Sequence, residues 1–133
     1  YESAADPDSG RAMTNLFDAA MAASSLVTTA DDYAAFLSKV CKADGLPADI
    51  YAEMIRPQSP TPPDYLGTEE GPIVSWGLGW LTADLGDEMM VGHGGNNNEY
   101  TAFAGFMANS GDGIVMLTNG ANGQKLIDQV LLP

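Results

Sequence analysis

Tyr100-Thr101-Ala102-Phe103-Ala104-Gly105-Phe106-Met107-Ala108-Asn109-Ser110-Gly111-Asp112-Gly113-Ile114-Val115-Met116-Leu117-Thr118 carries the pattern that decides the fold. Tyr100, Ala102, Ala104 and Phe106 recur at a period of two and share one face, so 100–108 reads as a strand. Residues 114–118 form a second apolar run of strand length. Asn109-Ser110-Gly111-Asp112-Gly113 between them is a tight connection of turn formers, which makes the two runs the arms of a β-hairpin.

Working upstream, residues 88–93 predict another strand. Before them Val74, Trp76, Leu78 and Trp80 alternate with Ser75, Gly77, Gly79 and Leu81, a strand pattern with close backbone contact at the glycines. Pro60, Pro62, Pro63 and Pro72 mark 59–72 as an extended surface loop. Earlier still the period changes to that of helices. Thr28 and Thr29 offer hydroxyl N-caps, Asp31 and Asp32 suit the positive end of a helix dipole, and Tyr33, Phe36, Leu37, Val40 and Cys41 form an apolar stripe ending near Asp44-Gly45. Pro47 opens a shorter helix, with Ile50, Tyr51 and Met54 on its apolar side and Pro57 stopping it. Met13, Leu16, Phe17 and Met21 suggest a further short helix within 9–23, and Asn122 can cap a last one whose stripe is Leu126, Ile127, Val130 and Leu131. Helices, then an antiparallel meander sheet, then a covering helix define an α+β chain, with the sheet flanked by helices.

Composition sets wider bounds. With 45% apolar and 17% charged residues, the 133-residue chain can fold as one domain rather than stay disordered. Eighteen acidic against five basic residues give a net charge of -13, which repels phosphate backbones and anionic lipid, so no nucleic-acid partner is expected. No apolar run reaches the roughly 20 residues of a membrane span. Cys41 is the single cysteine, so no internal disulfide forms, and its place on a helix stripe makes it a packing residue. Asp31-Asp32 and Glu69-Glu70 read as a helix start and a solvated loop, not as paired catalytic carboxylates.

The one histidine, His93, lies in Gly92-His93-Gly94-Gly95-Asn96-Asn97-Asn98-Glu99-Tyr100. A lone histidine is more often structural than catalytic, but small residues on both sides let backbone approach a ligand and free N–H groups to face a developing oxyanion. Competing readings fit less well. No Gly-x-Ser-x-Gly follows, as an α/β-hydrolase oxyanion motif would require. One His and one Cys are too few for a zinc site, so no metal and no other cofactor is expected. A phosphate-cradling glycine loop needs a helix after it, whereas this segment leads into a strand.

Four segments together resemble the β-lactamase-related serine hydrolases, a family that includes penicillin-binding proteins and esterases. Ala22-Ala23-Ser24-Ser25-Leu26-Val27-Thr28-Thr29-Ala30-Asp31-Asp32-Tyr33-Ala34-Ala35-Phe36-Leu37 is similar to that family's G/S-L-x-S/T-T-A-x-D-x-A-x-F segment. Trp76-Gly77-Leu78-Gly79-Trp80 resembles its Y/W-G-L-G-W strand. His93-Gly94-Gly95 falls where members carry Lys-Thr-Gly or the variant His-x-Gly, and Gly113 to Gly120 is similar to the G-x-V-x-L-T-N strand before the terminal helix. The four stand in family order and spacing.

The resemblance implies the C-terminal portion of a β-lactamase/transpeptidase-like fold, spanning 1–133, and an acyl-enzyme hydrolase. It assigns His93 a catalytic role, orienting or polarising a Tyr hydroxyl or the substrate. It makes the Asn96 backbone N–H an oxyanion-hole donor and places Gly94, Gly95, Asn97 and Tyr100 at the substrate. The family's nucleophile motif, Ser-x-x-Lys, and its Tyr-x-Asn loop are absent: no Lys has Ser or Thr three residues before it, and no Tyr has Asn two residues after it. A fragment, inactive alone and completed by an N-terminal segment or chain, is therefore expected, with an exposed sheet edge and an uncovered apolar face. The alternative is a non-catalytic binding module of the same fold. Where Lys-Thr-Gly members offer a cation and a hydroxyl, this chain offers a histidine that is mostly neutral at pH 7 and a glycine, so neutral esters, amides or D-amino-acid peptides are favoured over anionic β-lactams. Glu99 stands where the family often has Gly, a departure that would strain the backbone if φ there is positive. Periplasmic or secreted location is implied by family habit alone.

Overall fold

A computed structural model describes residues 20–62, 72–97, 100–120 and 122–131. One end of its sheet is the predicted hairpin, β5 (Tyr100–Met107) and β6 (Gly113–Thr118), in the register Thr101↔Thr118 through Phe106↔Gly113. Four strands precede it: β1 (Ser59–Pro60), β2 (Ile73–Trp76), β3 (Leu81–Asp84) and β4 (Met89–Asn97). They pair antiparallel in chain order, giving the six-stranded meander β1-β2-β3-β4-β5-β6. Helices α1 (Ala30–Cys41), α2 (Ala48–Ile55) and α3 (Gly123–Leu131) complete the α+β architecture.

Two expectations change. Gly77 to Trp80 is a turn between two strands, not part of one strand: the Gly77 N–H donates to the Trp80 carbonyl at 2.8 Å, and Gly79 adopts φ +79°. Such a turn needs positive φ at its third residue, which glycine takes without strain. Alternation of Trp and Gly imitates a strand period while the glycines reverse the chain. In the predicted proline loop, Ser59 and Pro60 pair with Trp76 and Ser75, so the loop's start is a short edge strand. Pro60 has no N–H to offer a further strand, which blunts that edge. Residues 1–19 and 63–71 lie outside the described residues, and with them most of the proposed 9–23 helix.

The helix N-cap is as read. Thr29 Oγ1 accepts from the Asp32 N–H at 3.1 Å and donates to Asp32 Oδ2 at 2.8 Å. From this start α1 lays Leu37 on the sheet, where it joins Val91, Ala104 and Phe106 in one core, flanked by Tyr33, Val40 and Cys41. Phe36 departs from the predicted stripe: it is 49% exposed and meets the Tyr33 ring edge-on at 5.5 Å. On the other face α3 buries Ile127 against β5 and β6. Gly123, its first residue, makes that approach possible, because a Cβ there would collide with Thr118 Oγ1. Farther along this face Val74, Leu81 and Ala83 form a second cluster. No described helix is long and apolar enough to cross a membrane.

Two glycines facing each other make room for an aromatic ring. Gly92 pairs with Gly105, and a Cβ at either would stand 2.9 Å from Phe103 Cζ. The Phe103 ring therefore lies across the bare backbone of β4 and β5, directly beside the histidine segment. Gly92→Ala also meets the Ala104 carbonyl oxygen at 2.9 Å, where backbone cannot yield cheaply. Urea unfolding should show this variant destabilised by about 1–3 kcal/mol as overpacking, and Phe106→Ala by about 3–5 kcal/mol as a core cavity.

Candidate active site

Strand β4 outruns its neighbour. It pairs with β5 from Met90 to Asn97, but β3 ends at Leu81, opposite Gly92. Residues 93–97 thus have a strand on one side only, among the described residues. Which backbone groups face the open side follows from the register. Residues of an antiparallel pair alternate between facing one neighbour and the other. The Ala108 N–H donates to the Met89 carbonyl at 2.9 Å, so odd residues of β4 bond to β5; the Leu85 N–H donates to the Glu88 carbonyl at 2.9 Å, so even residues face β3. Gly94 and Asn96 are the even residues beyond the end of β3. Their N–H and C=O groups point into the space that β3 leaves empty.

Side chains alternate as well. His93, Asn97 and Tyr100 share the α1 face with Val91 and Phe106, whereas Asn96 directs its side chain to the α3 face. The candidate residues are therefore not one cluster: His93, Asn97 and Tyr100 are placed by side chain, and Asn96 by backbone at the strand edge between the faces. Trp76, at the end of β2, reaches the same edge, its ring 5.5 Å from that of His93 and tilted by 57°. His93 Nδ1 lies 2.6 Å from the Gly94 carbonyl oxygen.

On the α1 face a cleft of ≈ 450 Å³ separates the 22–28 segment from β4 and β5. His93, Gly94, Gly95 and Asn97 line one wall, Ser24 and Thr28 the other, and among the described residues no Asp, Glu, Lys or Arg is in the lining. Tyr100 shares the face but is not part of this lining. Ser24 and Thr28 were not read as site residues from sequence, although they belong to the segment that carries the first family resemblance. Ser25 shapes their loop: its Oγ donates to the Met21 carbonyl at 3.0 Å and accepts from the Met21 N–H at 2.8 Å. Glu99 lies outside the described residues. No group of three or more His, Cys, Asp or Glu that could hold a metal occurs among the described residues.

The family model described as Beta-lactamase matches residues 1–129. The chain belongs to that family of β-lactamase-related serine hydrolases. Searches of curated proteins and of solved structures found no match to the chain.

The register makes a direct prediction. Amide hydrogen exchange should be about tenfold or more faster at Gly94 and Asn96 than at His93 and Gly95, whose amides face β5. Proline should discriminate in the same way. Asn96→Pro leaves the β5 ladder intact and costs about 1 kcal/mol in urea unfolding, whereas Gly95→Pro removes a ladder bond and costs on the order of 3 kcal/mol.

Proposed function

We propose that this chain supplies one wall of a serine hydrolase active site, acting on neutral esters, amides or D-amino-acid peptides through an acyl-enzyme. The single observation that carries the reading is the overhang of β4, which sets the Gly94 and Asn96 N–H groups at an open edge beside His93. An oxyanion needs donors aimed at the position it will occupy, and a strand edge holds them without rearrangement. In this reading the Asn96 N–H is one of two such donors, His93 orients a hydroxyl of the reacting system, and Gly94, Gly95, Asn97 and Tyr100 contact substrate. The lack of Lys and Arg in the cleft lining among the described residues and the net charge of -13 favour neutral substrates over anionic ones.

The nucleophile comes from elsewhere, since the chain carries neither Ser-x-x-Lys nor Tyr-x-Asn. We assign it to a complementary N-terminal segment or chain. The β6 edge supports this partner. The Met107 N–H donates to the Asp112 carbonyl at 2.8 Å, which sets even residues of β6 toward β5 and turns the backbone groups of Gly113, Val115 and Leu117 outward, without a strand partner among the described residues. Ile114, Leu117, Leu126 and Val130 are exposed nearby.

The test is reconstitution. The chain is expressed alone and together with a segment of the same family bearing Ser-x-x-Lys, and both are treated with a fluorophosphonate serine probe and a neutral nitrophenyl ester. Labelling and turnover are expected only in the combined sample. There Asn96→Pro should lower kcat by roughly 10²–10³, the effect of losing one oxyanion donor. A folded, combined protein that neither labels nor turns over would favour a non-catalytic binding module of the same fold.

A further inference from the structure

We propose that His93 is held as its Nδ1–H tautomer and acts as a positioning residue through the lone pair of Nε2, so that the group it holds is a hydrogen-bond donor. The inference deepens the hydrolase reading and rests on it for the identity of that donor's owner. The tautomer itself rests on the strand register.

Gly94 is the first even residue of β4 past the end of β3, so its carbonyl points to the open side with no strand to receive it. An unpaired backbone carbonyl seeks a donor, and the adjacent imidazole provides one, with Nδ1 2.6 Å from the oxygen. A carbonyl oxygen carries no proton, so a contact this short requires the proton on Nδ1. A neutral imidazole has only one N–H, which leaves Nε2 as an acceptor. Nε2 is the ring nitrogen farther from the backbone, it has no hydrogen-bond partner among the described residues, and His93 is exposed at the cleft.

This inverts the chemistry of a cation at the same place. An ammonium donates hydrogen bonds and attracts carboxylates, whereas the Nε2 lone pair accepts hydrogen bonds and repels them. A hydroxyl held here turns its hydrogen toward Nε2 and leaves its own oxygen lone pairs facing the reaction. A substrate amide N–H or ammonium is held equally well. The discrimination against anionic substrates is then directional as well as a matter of net charge.

The chain has a single histidine, so its imidazole signals need no assignment. A long-range proton–nitrogen correlation spectrum of the uniformly ¹⁵N-labelled chain, recorded at about pH 8, above the ordinary imidazole pKa of about 6.5, is expected to show a protonated Nδ1 and an unprotonated Nε2. The histidine side chain in water prefers the opposite tautomer, so a protonated Nε2 would overturn the inference. In the reconstituted hydrolase, His93→Gln keeps an acceptor near the Nε2 position and His93→Lys supplies only donors. The Lys variant should have a kcat/KM at least about tenfold below that of the Gln variant on a neutral ester, the scale of one hydrogen bond. A Lys variant equal to or better than Gln would sink the proposal. If no reconstituted sample turns over, the hydrolase reading fails, and the spectrum of the chain alone still decides the tautomer.

Discussion

Strand β4 must continue after β3 has stopped, and the arrangement of the site depends on that inequality of length. A backbone group in a central strand is committed to a neighbour; a group in an overhang is available. Because the ladder alternates, the overhang yields two N–H groups and two carbonyls on its open side, at Gly94 and Asn96, while its other side stays bonded to β5. The edge is thus accessible and still rigid. The turn at Gly77–Trp80 ends β3 where it does, by reversing the chain before Leu81.

The same geometry explains why the site is divided between backbone and side chain. His93 and Asn97 look toward the α1 face and its cleft, and Asn96 looks the other way, so what it presents at the open edge is its backbone N–H and carbonyl. Glycines at 94 and 95 leave the edge unobstructed, since a Cβ at Gly95 would meet nothing within 4 Å and one at Gly94 only a carbonyl at 3.8 Å. The acidic surface stands outside this arrangement: among the described residues no Asp, Glu, Lys or Arg lines the cleft.

Much of this was legible in the residues. The Tyr100–Thr118 hairpin, the Thr29 cap with its α1 stripe, and the final helix each announce themselves locally, through period and capping chemistry. The meander order followed from short connections between antiparallel strands. From Trp76 to Trp80 the sequence is ambiguous, because alternation alone cannot distinguish a strand from a glycine turn of the same spacing. The overhang of β4 was hidden for a different reason: it depends on where β3 stops, and relative strand length belongs to the pairing, not to either segment. Ser24 and Thr28 were missed as cleft residues because polar side chains in a loop carry no period, and only the tertiary fold brings that loop over β4.

The Phe103 ring over Gly92 and Gly105 has a consequence for how this sheet can change over evolutionary time. Three positions share one volume: two must lack a side chain because the third has a large one. Substitutions among them are coupled, as expected for residues in direct contact, where effects on stability do not add. A smaller residue at 103 would relieve the ring contact at 92 and 105, but the Ala104 carbonyl oxygen, 2.9 Å from a Cβ at 92, and the Val91 carbonyl oxygen, 3.1 Å from one at 105, would still resist a side chain there. The glycine before the histidine is therefore tied to a core aromatic, and the strand that carries the candidate site cannot be varied there without disturbing the core.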